Sequence, residues 1–150
     1  MQTAIIVLAH NEERRIAACL ASLPLDDAGV GVTVVVNGSS DRTAAIVRDH
    51  AERGVRLVEY EQGGKARSWN RFVLGEAPEA DMYVFVDGDA VLAPGSVVAL
   101  GQCLTRNPEA NAAAALPLNG RSKAFYQRSM RAEQGLFGDC YALSGAFVRS

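Results

Sequence analysis

The feature that most constrains this chain is an alternation of short, continuous apolar runs with stretches whose apolar residues recur at helical spacing. Ala4-Ile5-Ile6-Val7-Leu8-Ala9 is apolar at every position, the pattern of a strand covered on both faces. Ile16, Leu20 and Leu23 follow at i, i+4, i+7, one stripe of an amphipathic helix that Pro24 ends. Val30–Val36, rich in β-branched residues, predicts a second strand. The turn Gly38-Ser39-Ser40-Asp41 offers Ser40 or Asp41 as the cap of a helix carrying Ala44, Val47 and Ala51. Val55–Val58 predicts a third strand, Gly63-Gly64 a break, and Ala66, Trp69 and Val73 a third helix. Met82–Val86 predicts a fourth strand. Pro94 and Asn107-Pro108 bound a helix with Val97, Gly101 and Leu104 on one face. Beyond Glu109 the pattern weakens. Ala110–Leu118 is a strand candidate whose alanines fit either state, Ser122–Glu133 reads as a helix, and Tyr141–Val148 as a last strand.

This order, βαβαβαβα, implies an α/β domain over residues 1–150, with a mostly parallel sheet flanked by helices. A chain of 150 residues buries enough surface to fold without disulfide or metal staples. With 15 Lys and Arg against 17 Asp and Glu the net charge is −2, which excludes a generally basic nucleic-acid binder. Cys19, Cys103 and Cys140 stand far apart with no CxxC pair, so a zinc knuckle is excluded and all three are expected to be small buried hydrophobes. No apolar run reaches the ~18–20 residues of a membrane span. Met1-Gln2-Thr3 lacks the basic start of a signal peptide, so the expectation is a cytoplasmic chain.

In open α/β sheets, ligands bind beyond the carboxyl ends of the strands, so the residues after each strand form the candidate site. Asp87-Gly88-Asp89 ends the fourth. Two carboxylates one residue apart point in similar directions and repel unless a cation lies between them. Their oxygens suit magnesium or manganese shared with phosphate oxygens. A solvated Asp-Gly turn is the plainer alternative, and the position after a buried strand favours the cation. His10 follows the first strand, where its ring can stack on a planar base or hydrogen-bond a ligand, or serve no purpose at all. Asn11 is expected to cap the first helix, with Glu12 and Glu13 favoured by its dipole. Asn37 follows the second strand and carries the donor and acceptor that reading a pyrimidine edge requires, besides any turn role. Gly63-Gly64-Lys65-Ala66-Arg67 brings flexible backbone and two cations to a helix start, a place to meet phosphate if it is not simply a solvated face. Neither GxxxxGK[ST] nor a strand-following GxGxxG is present. Arg121, Lys123, Arg128 and Arg131, with Phe125 and Tyr126, read first as a solvated helix face, and second as a contact for an acidic acceptor or a membrane surface. Trp69 reads as core.

Four segments together resemble family 2 glycosyltransferases with the GT-A fold. They are Ala4–Asn11 followed by Glu12-Glu13, Val34–Thr43, Gly64–Asn70 and Val86–Asp89, in the family's order; Leu143–Arg149 is similar to its later strand region. The resemblance implies a nucleotide-sugar donor, UDP- or GDP-linked, and transfer to an acceptor hydroxyl, with inversion and with Mn2+ or Mg2+. It implies that His10 stacks on the base, Asn37 reads its edge and Lys65 approaches the nucleotide. Asp87 and Asp89, as a DxD pair, would handle ribose and the metal diphosphate. Two departures stand out. Val36-Asn37 replaces an acidic pair, and Glu133 and Asp139, the only late acids, match no family motif for the catalytic base. The base is therefore unknown and expected beyond Ser150, with the chain a donor-binding fragment truncated on its C-terminal side. Two other readings remain: a non-catalytic nucleotide-sugar-binding or interaction domain, and a sugar nucleotidylyltransferase. The latter wants a Gly-rich basic loop where His10-Asn11-Glu12-Glu13 stands.

Overall fold

Ala4–Ala9 has no polar side to turn to water, and the chain accordingly buries it in the middle of a sheet. In the computed structural model, which describes residues 1–121, 123–133, 136 and 139–150, β1 (Thr3–Ala9) is buried along its whole length. It pairs in parallel with β2 (Val30–Asn37) on one side and β4 (Met82–Asp87) on the other. β3 (Val55–Tyr60) adds in parallel outside β2. Beyond β4 come β6 (Cys140–Ser144), antiparallel to it, and β5 (Ala112–Ala114), antiparallel to β6, so the order is β3-β2-β1-β4-β6-β5.

Alternation along the strands builds two cores. Ile5, Val7, Val34, Val84 and Val86 face one side, where α1 (Ile16–Ala21), α2 (Thr43–Arg48) and α4 (Ser96–Arg106) supply Ile16, Leu20, Val47, Val97 and Leu100. Ala4, Ile6, Leu8, Val35 and Phe85 face the other, where α3 (Lys65–Gly75) supplies Phe72 and Val73. Trp69 packs there on Phe85 at 5.2 Å between ring centroids, as core. Burying a Leu, Ile or Phe side chain is worth about 1.5–3 kcal/mol, so two such faces hold the central strands rigidly.

Several local expectations are corrected. Ala51 lies past α2, in a 3-10 turn (Ala51–Arg53). The strand candidate Ala110–Leu118 contracts to β5. α5 (Lys123–Glu133) matches the expected helix, of which Ser122 lies outside the described residues. The last expected strand stops at Ser144, whose hydroxyl accepts from the Phe147 N–H at 3.3 Å and caps a short α6 (Gly145–Val148). Cys19 and Cys140 are buried as expected, whereas Cys103 is exposed on α4.

Asn11 does not cap α1, which begins only at Ile16. Asn11 adopts a left-handed backbone (φ 50°), and its Oδ1 accepts from the Ser40 N–H at 2.9 Å. The next two N–H groups go to Thr43 Oγ1 (2.8 Å) and Asp41 Oδ2 (3.1 Å). The loop after β1 is thus bonded to the loop after β2 through its N–H groups, while the Glu12 carbonyl accepts from the Arg15 and Ile16 N–H groups in the turn that leads into α1. The N-cap of α2 is Arg42, whose side chain makes no capping bond, instead of the expected Ser40 or Asp41; Asp41, two residues before α2, still serves the helix start, because its Oδ1 accepts from the Thr43 N–H and hydroxyl. Burial alone would raise the Asp41 carboxyl, but these bonds from Thr43 and Glu13 outweigh it and hold it below its ordinary value.

Candidate functional site

The chain runs from β1 outward through β2 and β3 on one side and returns to β4 on the other side of β1, so the crevice at the carboxyl ends of β1 and β4 is the topological switch point. Register places Leu8 opposite Asp87, and the residues that follow emerge side by side. The Gly88 N–H donates to the Leu8 carbonyl at 2.9 Å. A Cβ on Gly88 would lie 2.9 Å from Ala9 Cβ, so only glycine lets the two strand ends close this far. The turn that the sequence suggested at Gly88 is present, closed by the Ala90 N–H donating to the Asp87 carbonyl at 2.9 Å, and the structure adds the close approach.

A cleft of about 530 Å³ results, lined by Leu8, His10, Glu12, Asn37, Gly63, Gly64, Lys65, Asp87, Gly88 and Asp89. That size suits a drug-sized ligand. All five sequence-derived site residues, His10, Asn37, Lys65, Asp87 and Asp89, therefore border one space, although they come from the ends of four segments.

His10 Nδ1 lies 2.7 Å from the Asn37 carbonyl oxygen. A carbonyl only accepts, so Nδ1 carries the proton, and the exposed ring is held at the cleft rim. Asn37 departs from expectation. It is 3% exposed; its Nδ2 donates to the Ala9 carbonyl (3.1 Å), and its Oδ1 accepts from the Gly64 N–H (3.1 Å). The amide expected to face a base edge is spent on joining β1, β2 and the loop before α3. Gly38, next in line, has φ 56°, and a Cβ there would meet the Gly63 backbone nitrogen at 2.7 Å, so the two loops pack backbone to backbone.

Lys65, first residue of α3, reaches across the cleft and pairs with Asp87 Oδ1. Arg15 Nη1 lies 3.5 Å from Asp89 Oδ2, and its Nε lies 3.0 Å from Glu12 Oε2. That Glu12 oxygen is buried and, ion pair apart, accepts no well-formed hydrogen bond. The Cys19 thiol donates to the Asp87 carbonyl at 3.6 Å. Burial, then the charge of Asp89, pushes it up to about 12, so it stays protonated at neutral pH.

Arg15 and Asp139 are neighbours of the acid pair that sequence reasoning did not place. The Asp87 N–H donates to the Asp139 carbonyl at 2.9 Å. Burial, then the charges of Asp87 and Asp89, raises the Asp139 carboxyl. No spacing in the sequence signals this, because the antiparallel pairing of β6 with β4 delivers Asp139 from 50 residues downstream. Arg15 follows from the turn that delays α1.

Asp87 and Asp89 present hard carboxylate oxygens, which fit Mg2+ or Mn2+. Among the described residues no cluster of three or more His, Cys, Asp or Glu can surround an ion, so the remaining positions would fall to phosphate oxygens and water. Also among the described residues, no helix is long and apolar enough to cross a membrane.

The model of the family described as "Glycosyl transferase family 2" matches residues 4–145. Among solved structures, the chain is similar to a mannosyltransferase from Pyrobaculum calidifontis in complex with GDP-Man and Mn2+ (23% identity, TM-score 0.76, 95% of this chain and 44% of that one). It is also similar to residues 1–349 of TarS from S. aureus (18%, TM-score 0.75, 99% and 48%). At these identities the likeness shows the fold, GT-A. A third similar structure is glucosyl-3-phosphoglycerate synthase from Mycobacterium tuberculosis with Mn2+, UDP and phosphoglyceric acid (26%, TM-score 0.73, 97% and 56%). The chain spans about half the length of these structures. No curated protein matches it. With the family model covering nearly every residue, and the fold and strand-end cleft agreeing with it, the chain belongs to glycosyl transferase family 2.

Proposed function

We propose that the cleft binds a nucleoside-diphosphate sugar, UDP- or GDP-linked, together with Mn2+ or Mg2+, for hexosyl transfer with inversion to an acceptor hydroxyl. The observation that carries this reading is the facing of Asp87 and Asp89 by Lys65 across the switch-point cleft. The GDP-Man, UDP and Mn2+ of the similar structures support it.

In this reading the His10 ring, oriented by the Asn37 carbonyl, stacks on the base. Asn37 itself acts by positioning His10 and Gly64, since its amide is already bonded. Lys65 meets the diphosphate as a point charge. Asp87 and Asp89 hold the metal, which when bound supplies charge stabilisation to the departing diphosphate. A carboxylate must take the acceptor proton. We assign that role to no residue of this chain.

α5 projects from the same sheet edge, because Ala115 just after β5 bonds to Cys140 and Asp139 bonds to Asp87. Its exposed Phe125 and Tyr126 lie among Lys123, Arg128 and Arg131, which makes it the acceptor-side surface and the candidate contact for an acidic acceptor or membrane surface. The cytoplasm is the proposed location.

Calorimetry with UDP- and GDP-sugars, with and without Mn2+, tests the donor reading. The expected result is metal-dependent binding that Asp89→Asn weakens about tenfold or more, the loss of a charge-assisted contact. Absence of binding by every donor under both conditions would overturn it and favour an interaction domain. Pyrophosphate released from NTP and sugar phosphate would instead favour a nucleotidylyltransferase.

A further inference from the structure

Both carboxylates of Asp87-Gly88-Asp89 already hold a cation from the chain: Lys65 on Asp87 and Arg15 on Asp89. The acids sit on a strand end, with Asp87 at 28% side-chain exposure, while Lys65 and Arg15 are 58% and 61% exposed on flexible stems. Ion pairs this exposed are weak and exchange readily. A divalent ion at the acid pair would meet an ammonium and a guanidinium in the same space, and like charges repel. Two carboxylates alone also leave most of its coordination to other oxygens. A diphosphate alongside answers both problems. It offers oxygens to the metal and new anionic partners to the displaced side chains.

We infer that Lys65 and Arg15 are exchangeable counterions of the acid pair, which pass to the diphosphate when metal and donor bind together. Metal alone and nucleotide alone then bind weakly, and each strengthens the other by the same factor. This rests on the donor reading of the cleft and adds to it the two residues that couple its ligands.

The test is Mn2+ affinity, read from the free-ion paramagnetic resonance signal, with and without UDP. It is measured for the wild-type chain, Lys65→Met, Arg15→Met and Arg67→Gln. Arg67 lies on α3 beside Lys65 but bonds to Gln62, so Arg67→Gln removes equal charge without touching the acid pair. Lys65→Met and Arg15→Met are each expected to bind Mn2+ alone about two- to fivefold more tightly, the scale of an exposed ion pair removed. They should bind UDP alone more weakly and lose part of the mutual enhancement, while Arg67→Gln leaves Mn2+ affinity as in wild type. Unchanged or weaker Mn2+ binding in both Met variants, or an equal gain in Arg67→Gln, overturns the exchange while leaving the donor reading intact. Failure of the wild-type chain to bind Mn2+ and UDP even together sinks the reading and the inference at once.

Discussion

Gly88 shows how much one missing methyl decides. Without a Cβ, β4 closes on Ala9 and brings Asp87 and Asp89 alongside His10; any side chain there would press the strand ends apart. Cysteine shows the reverse, where identical side chains differ only by surroundings. Cys19 and Cys140 are buried, and desolvation first, then nearby acids, pushes both thiols up to about 12, whereas Cys103 is exposed. Thiolate is the reactive form, so native protein should show one fast-reacting thiol toward a disulfide reagent. Cys103→Ser should abolish that phase, and the other two thiols should react only on unfolding. A fast phase persisting in Cys103→Ser would mean that the sheet opens locally.

At the scale of elements, the loops after β1, β2 and β3 form one unit held by side chain to backbone bonds. Asn37 is its centre. Asn37→Ala strands the Ala9 carbonyl and the Gly64 N–H, and is expected to cost about 1–3 kcal/mol in urea unfolding, with weaker donor binding as the His10 and Lys65 loops lose register. Asp41 joins the same unit to α2. Its carboxyl lies below its ordinary value when folded, so its contribution is present above the unfolded carboxylate range and is lost as pH falls through the folded pKa. Asp41→Asn should lower the urea midpoint at neutral pH, and the gap from wild type should narrow as pH falls below the ordinary carboxylate range. A gap independent of pH would place the bonds, but not the charge, at the root of the effect. Element boundaries were the least legible part of the sequence. α1 starts four residues after Glu12, past a turn in which the Glu12 carbonyl accepts from the Arg15 and Ile16 N–H groups, and β6 ends at Ser144 because that residue caps α6.

Taken as a whole molecule, the proposed donor cleft would couple ligand binding to stability, since a donor gripped by four segments would bind only the folded chain. Mn2+ and UDP together at about 100 times Kd should add about 2.7 kcal/mol, which for a domain of this size is roughly 5–10 °C in Tm, while Asp89→Asn should show little of it. The same rise in Asp89→Asn would move the ligand away from the acid pair. The sequence by itself determined the layering and which strand-end residues gather at one edge of the sheet. Continuous apolar runs can be satisfied only between two layers of helices, and parallel strands put their following residues at one edge, so His10, Lys65, Asp87 and Asp89 were legible from their positions alone. Tertiary structure decided what those residues do to one another. Whether Asn37 faces a ligand or its own backbone, which cations sit on the acid pair, and that Asp139 arrives beside it all depend on contacts between segments tens of residues apart. Local pattern carries the period of burial, but it holds no record of which polar group lies opposite another across a sheet.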